Sequence, residues 1–377
     1  MNGQWLGVKH MNPGLAERDS NLVINIDKRD RYYQGVVFDW PIDPPQVCAL
    51  IELKIPLDLN PFTLESRVFA FAGPNVDPQF VDGSEYFTKI TGKPVSLPRR
   101  VYIEGDWCGN RMRLSYTTDL GTGGHAVVER MGSNPKSNLV ARRITWEEAK
   151  KVFGNAPYRT CAYRGHANSE WPLRSLYHRE GRADLGRYNV EDMRLLYNRL
   201  SGSLPQPMNM LDNDSRGGFL HLLQHHGYPT PLLDWSYSPY VAAFFAFRHC
   251  SPSQAGGEER CVRIFKFDVD TYLTTVEPIS LLATPRSNLT FMEFPTQNNP
   301  RAVPQHALSA LTSVDDIERY IKLQEGIFKK DFLEAFDIPV SEATKALADL
   351  RSMGITVGSL FPGIDGACEE MRGMRFP

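Results

Sequence analysis

Long apolar runs are absent from this 377-residue chain, and no stretch approaches the roughly 20 residues that a membrane-spanning helix requires. The opening MNGQWLGVKHMN has neither the basic start nor the apolar core of a secretory signal, so a cytoplasmic location is expected. Cysteine is sparse. Cys48, Cys108, Cys161, Cys250, Cys261 and Cys368 stand apart with no C-x-x-C pair, which argues against a zinc knuckle and fits reduced thiols better than a disulfide framework. An excess of either charge is lacking too. With 42 Lys and Arg against 44 Asp and Glu, the net charge of -2 excludes a globally basic nucleic-acid binder and leaves only local patches such as KSNLVARR, residues 136–143. Internal repeats and low-complexity tracts are also missing.

What is present is a globular composition, 42% hydrophobic and 23% charged, in a chain long enough for two domains. Residues 1–135 read as strand. NLVINID (21–27), YYQGVVFDW (32–40), SRVFAFA (66–72), RVYIEGDW (100–107), RMRLSYT (111–117) and HAVVER (125–130) carry alternating or β-branched patterns punctuated by Gly, Pro, Asn and Asp. This rhythm predicts an antiparallel β-barrel or sandwich, a sensor or targeting module by its arrangement. Trp5-Leu6-Gly7 and Trp107-Cys108-Gly109 would close one end of a barrel, the glycines allowing close backbone approach.

The composition turns polar near Ser133–Asn138, which predicts a linker over 136–143 and a second, mixed α+β domain over 144–377. Thr145-Trp146-Glu147-Glu148 has the capping-box form. Met193, Leu196, Tyr197 and Leu200 share a helical face with Asn189 as cap, and Phe219, Leu222, Leu223 and His226 share another, stopped by Gly227. Ser238-Pro239 opens a helix whose apolar face is Tyr240, Ala243, Phe244 and Phe247, so the stretch from His225 to Ala246 reads as helix end, loop and helix. Val262–Asp268 is a predicted strand, 313–323 a helix, 324–330 a strand by its Ile-Phe pair, and 341–353 a final helix.

Four groups of residues carry chemistry. Asp234, in Pro231-Leu232-Leu233-Asp234-Trp235-Ser236, precedes a helix N-terminus and is either a buried anchor of that helix or a site group. His221 and His225 have the i, i+4 spacing of a zinc pair, but the Glu of H-E-x-x-H and a third ligand are missing, and no metal is expected. In Tyr163-Arg164-Gly165-His166 an arginine can grip a phosphate or carboxylate, the glycine letting a ligand approach the backbone. Arg319 precedes Gln324-Glu325-Gly326-Ile327-Phe328, read as a helix leading into a strand.

Taken in order, Tyr163-Arg164-Gly165, the run from Gln224 to Trp235, Ala243-Phe244-Phe245-Ala246, Gln324 to Phe328, and the closing Leu350 to Ile355 and Leu360 to Gly366 resemble the FRG domain, named for a Phe-Arg-Gly motif, across about residues 144–370. Tyr163 stands where that family has phenylalanine, His226 where tyrosine is usual, and Pro231 where arginine is common. The family's motif order is similar to that of ADP-ribosyltransferases. The resemblance therefore implies a fold like theirs with NAD as substrate, bound by Tyr163, Arg164, Gly165, Trp235 and Ser236, with Arg164 holding a phosphate and Ser236 and Asp234 lining the nicotinamide side. It puts Gln324 or Glu325 on the strand that carries the catalytic acid. Side chains alternate along a strand, so if Gln324 faces the pocket, Glu325 faces away and His225 or Asp234 takes that part.

The leading reading is thus an NAD-consuming enzyme that passes ADP-ribose to nucleic acid, protein or water, as a toxin or anti-phage defence effector. The alternative is a non-catalytic domain that recognises a nucleotide or a nucleic-acid end. A metal-dependent hydrolase built on His221 and His225 has the least support.

Overall fold

The computed structural model describes residues 1–12, 19–41, 47–72, 84–85, 88–89, 92–155, 157, 159–204, 206–250, 260–279, 286–295 and 299–376. Strands β1 (Gly3–Met11), β2 (Ser20–Lys28), β3 (Tyr32–Pro41), β4 (Val47–Pro56), β5 (Phe62–Ala72), β6 (Arg100–Cys108), β7 (Arg111–Thr118) and β8 (Gly123–Arg130) pair antiparallel in chain order, and β8 returns to β1. The fold therefore begins with a closed barrel, which leaves no unpaired edge strand. Alternation is plainest in β6, where Val101, Ile103 and Gly105 are buried while Arg100, Tyr102 and Glu104 face solvent.

Trp5, Ile24, Ile26, Val37, Ile55, Phe62, Met112 and Val128 fill the barrel, and Trp107 packs on them 6.0 Å from the Phe62 ring, so both tryptophans serve one core. The glycines differ. A Cβ on Gly7 would come within 2.3 Å of the Val127 carbonyl, whereas Gly109 makes the β6–β7 turn at φ +57 with open space around it. β1 and β4 were not expected, because Gly-Gln-Trp-Leu-Gly and Val-Cys-Ala-Leu-Ile do not alternate cleanly.

A seven-stranded sheet follows. It contains β9 (Arg142–Arg143), β10 (Cys161–His166), β11 (Leu232–Ser236), β12 (Cys261–Asp268), β13 (Leu289–Met292), β14 (Ala307–Thr312) and β15 (Leu333–Pro339), in the order β13-β14-β11-β10-β12-β15-β9. The longer helices are α1 (Trp146–Gly154), α2 (Met193–Leu200), α3 (Asn213–His225), α4 (Pro239–Phe247), α5 (Ile317–Phe328), α6 (Ala343–Ser352) and α7 (Ile364–Arg375). α1, α4 and α6 cover one face through Trp146, Phe153, Ala243, Phe247 and Leu350, against Ile264 and Phe336. Phe265, Phe267, Trp235, Phe291, Tyr272 and Ile317 build the core on the other face. The capping box at Thr145 and Glu148 and the Ser238 cap with Pro239 behind it both form. Among the described residues no helix is long and apolar enough to cross a membrane.

Three expectations are corrected. Residues 324–330 are not a strand: α5 runs on to Phe328, capped by the Asp316 side chain at its start and ended by Lys329 in the left-handed region. The Ile327-Phe328 pair that suggested β structure is simply an exposed helix end. Pro231 to Ser236 is not a loop, since Leu232–Ser236 forms β11 between β10 and β14. Asn189 caps nothing; it lies in a π-helical turn, and its side-chain oxygen accepts from Arg216.

Barrel and sheet meet along a polar seam. The buried Gln4 amide donates to the Ser313 carbonyl at 2.8 Å and to Asn25 Oδ1 at 3.1 Å, while its oxygen accepts from the Asp315 N–H. Asp27 of β2 accepts from the Ala183 N–H at 2.7 Å and pairs with Arg182 at 2.9 Å. Buried polar groups satisfied on both sides in this way fix the relative placement of the two parts.

Candidate functional site

β10 and β11 pair at one register position, Tyr163 with Ser236. Beyond it β10 follows β12 and β11 follows β14, so the sheet splits between them. The split opens a cleft of ≈ 800 Å³, a volume suited to a small organic ligand. Arg164 spans the gap: its Nη1 donates to the Asp234 carbonyl, and its Nε donates to His166 Nε2 at 3.2 Å. Since Nε2 accepts, His166 carries its proton on Nδ1, which donates to the Trp171 carbonyl at 3.1 Å. Burial, reinforced by Arg164, pushes His166 down to about 3. The imidazole is therefore neutral and works as a rest for the guanidinium. Arg164 is itself lowered by desolvation to about 10, against the pull of Asp234, and stays charged at neutral pH.

Gly165 does something other than admit a ligand. A Cβ there would lie 2.0 Å from the Ala242 carbonyl and 2.9 Å from the Ala246 nitrogen, so the glycine lets α4 press directly on β10. Gly165→Ala is expected to destabilise the fold by about 1–3 kcal/mol through overpacking, read as a lower denaturant midpoint. An unchanged midpoint would show that α4 can back away.

Ser238, not Asp234, caps α4, accepting from the Val241 N–H at 3.3 Å. The Asp234 side chain is exposed on the cleft wall, and its carboxylate takes no hydrogen bond from any described residue. Ser236 lies deeper, with its hydroxyl donating to the Gln305 carbonyl at 2.7 Å and accepting from the Ser238 N–H. Trp235 lines the cleft, but its ring is packed on Phe267 and Phe291 in the core. Tyr163 likewise sends its ring against Phe153. The Tyr163 hydroxyl and the Trp235 indole N–H are buried without a hydrogen-bond partner among the described residues.

His221 and His225 also reach the cleft from the end of α3, and burial lowers both below the usual histidine value. His221 Nε2 lies 3.3 Å from the Asn299 amide. Among the described residues no group of three His, Cys, Asp or Glu is placed to hold a metal ion. Gln324 and Glu325 are elsewhere: Glu325 accepts from the Phe332 and Leu333 N–H groups at 2.8 and 3.0 Å, tying the end of α5 to β15. The helical course of α5 removes both from the role expected of a catalytic strand.

Sequence reasoning missed three further arginines on the cleft wall. Arg174 is neutralised by Asp315. Arg179 and Arg301 have no carboxylate within ion-pair reach among the described residues, and neither does Arg164. Arg301 stacks 5.0 Å from the centroid of Phe361. Asp234 is the one acidic side chain among the described lining residues. A concave wall that carries more guanidinium groups than carboxylates has a positive field, which favours anions.

A split sheet with an arginine across the gap defines an α+β module with an open cleft. The chain carries an FRG domain, matched over residues 159–255, which holds β10, β11, α3 and α4 and so most of the cleft. No curated protein matches the chain. Two solved structures of redesigned β-barrels, mFAP1 and mFAP0, each described as bound to DFHBI, are similar to it at 12% identity; they cover 34% of this chain and 94% and 97% of their own, with a TM-score of 0.21. A likeness of that size carries no argument, and the barrel stands on its own strand pairing.

Proposed function

We propose that the cleft binds NAD or a close pyrophosphate-bearing relative, and that Asp234 serves the departure of nicotinamide. One observation carries this reading: the exposed Asp234 carboxylate, which takes no hydrogen bond from a described residue, lines one cleft with Arg164 and Arg179, and neither guanidinium has a carboxylate within ion-pair reach among the described residues. Arginine is suited to a pyrophosphate because its planar fork meets two oxygens at once. Trp171, 53% exposed at the cleft, offers a face on which a base can stack. Nicotinamide leaves a sugar that gains oxocarbenium character, and a fixed carboxylate stabilises that charge. In this reading the chain is an ADP-ribosyltransferase or NAD glycohydrolase of the toxin or anti-phage kind. Residues 144–377 form the FRG unit, joined in its sheet by β9 (Arg142–Arg143) from the end of the expected linker 136–143, and 1–135 form a sensor or targeting unit.

Calorimetry with ADP-ribose tests the binding step. Arg164→Ala should weaken affinity by about 1.5–3 kcal/mol, the worth of a charge-assisted bond. Arg164→Lys should do nearly as much harm, because it keeps the charge and loses the fork. Unaltered affinity in folded Arg164→Ala protein would return Arg164 to a purely structural part across the split. The second reading, recognition without turnover, is favoured by the lack of any glutamate among the described lining residues; NAD binding with no nicotinamide release from the wild type would establish it.

A further inference from the structure

Arg164 and Arg301 stand on opposite flanks of Asp234. Arg164 belongs to β10 and Arg301 precedes β14, and these two strands lie on either side of β11, which carries Asp234. With neighbouring strands about 4.8 Å apart, β10 and β14 stand about 10 Å or more from each other across β11, so the two cationic flanks are distinct and Asp234 lies between them. The Arg301 flank is an ordered part of the same cleft wall. The buried Asn299 side chain accepts from the Arg301 N–H at 3.2 Å and its amide reaches His221. Phe361 backs the Arg301 guanidinium and is clasped on another side by Arg248, 4.5 Å away, whose charge is taken by Glu369. His225 faces the same flank and feels the Arg301 charge.

If a pyrophosphate lies at Arg164 and its ribose at Asp234, as proposed above, the Arg301 flank is where an acceptor must enter. We infer that this flank is a phosphate subsite for the acceptor, and that the acceptor is a nucleic-acid strand. An arginine or lysine side chain of a protein acceptor would meet a like charge here, water needs no cationic group, and a nucleic-acid strand carries a phosphate beside every base, which a carboxylate or hydroxyl side chain of a protein does not. Arg301 supplies a charged fork, Asn299 and His225 supply neutral polar groups, and the combination matches a phosphodiester oxygen pair. In the transfer, the C1′–N bond of NAD breaks with its electron pair going to nicotinamide. A lone pair on the acceptor's base or sugar forms the new bond to C1′, and the acceptor's proton passes to the neutral imidazole of His225 and then to solvent. The inference rests on the NAD reading for the identity of the transferred group, but the phosphate subsite can be tested without it.

Fluorescence anisotropy with a short labelled single-stranded oligonucleotide, as DNA and as RNA, is run on the full chain beside ADP-ribose calorimetry. Arg301→Ala and the longer Arg301→Gln should each weaken oligonucleotide binding about tenfold or more while leaving ADP-ribose affinity in place, with melting curves confirming the fold. Incubation of the wild type with NAD should add ADP-ribose mass to the oligonucleotide and release nicotinamide. Oligonucleotide binding that is absent, or equally strong in both Arg301 variants, overturns the subsite. ADP-ribose mass on an added protein and none on the oligonucleotide overturns the choice of acceptor. Failure of the wild type to bind ADP-ribose defeats the NAD reading alone, and Arg301-dependent oligonucleotide binding would then still support the subsite.

Discussion

Replacing Asp234 by asparagine is expected to leave the melting temperature in place and to cut nicotinamide release from NAD by about a hundredfold or more, the usual cost of removing one group that stabilises transition-state charge. The first half follows from exposure: the carboxylate is solvent-facing and holds no described residue, and substitutions at such positions usually stay within about 0.5 kcal/mol of neutral. The second half follows from solitude, since no other carboxylate lines the cleft among the described residues to take over. Asparagine keeps the size of the side chain and loses the charge that an oxocarbenium-like ribose needs. A melt and a release assay on the same sample decide the matter. A marked fall in melting temperature with normal turnover in the folded fraction would make Asp234 an anchor of α4 after all, and normal turnover with a normal melt would clear it of any part in the chemistry.

Phe247→Ala should act in the opposite sense, lowering stability by about 3–5 kcal/mol while any protein that remains folded keeps its ligand affinity. Phe247 is fully buried at the end of α4, with its ring 6.0 Å from the Trp146 indole in a T-shaped contact. Truncation leaves a hole between α1, α4 and the sheet that rigid neighbours cannot fill. Denaturant unfolding measures the loss. A change below about 1 kcal/mol would mean that the site collapses around the smaller side chain, as well-adapted cores sometimes do.

How far the sequence could be read depended on whether each signal was local. β6 was legible because its alternation is complete within nine residues, and α4 because Ser238 and Pro239 announce a helix start without outside help. β11 was not, since Pro231 before it and Asp234 within it are loop-like, and its strand state depends on β14, about seventy residues further on. α5 misled for a related reason: Ile327 and Phe328 favour strand, but the run from the Asp316 cap carries the helix past them. Arg164, Asp234, His225 and Ser236, which line the cleft, stood out in the sequence because they lie in short recognisable motifs. Arg179 ends a four-residue helix and Arg301 lies in the segment before β14, and nothing in their surroundings marks them until the chain brings them to one cleft. The function of Gly165 was legible as a need for smallness, but the neighbour that imposes it, Ala242, was not.

The contact of Gly165 with Ala242 bears on the entropy of binding. Because α4 is pressed onto β10 at that point, the backbone beneath Arg164 is rigid, and the guanidinium is already held by the Asp234 carbonyl and by His166. A free arginine side chain carries about 2 kcal/mol of rotamer entropy that a ligand must normally quench. Here most of that freedom is surrendered when the chain folds, so under the proposed function an anion would meet a group that is already ordered, and more of its contact energy would remain as affinity.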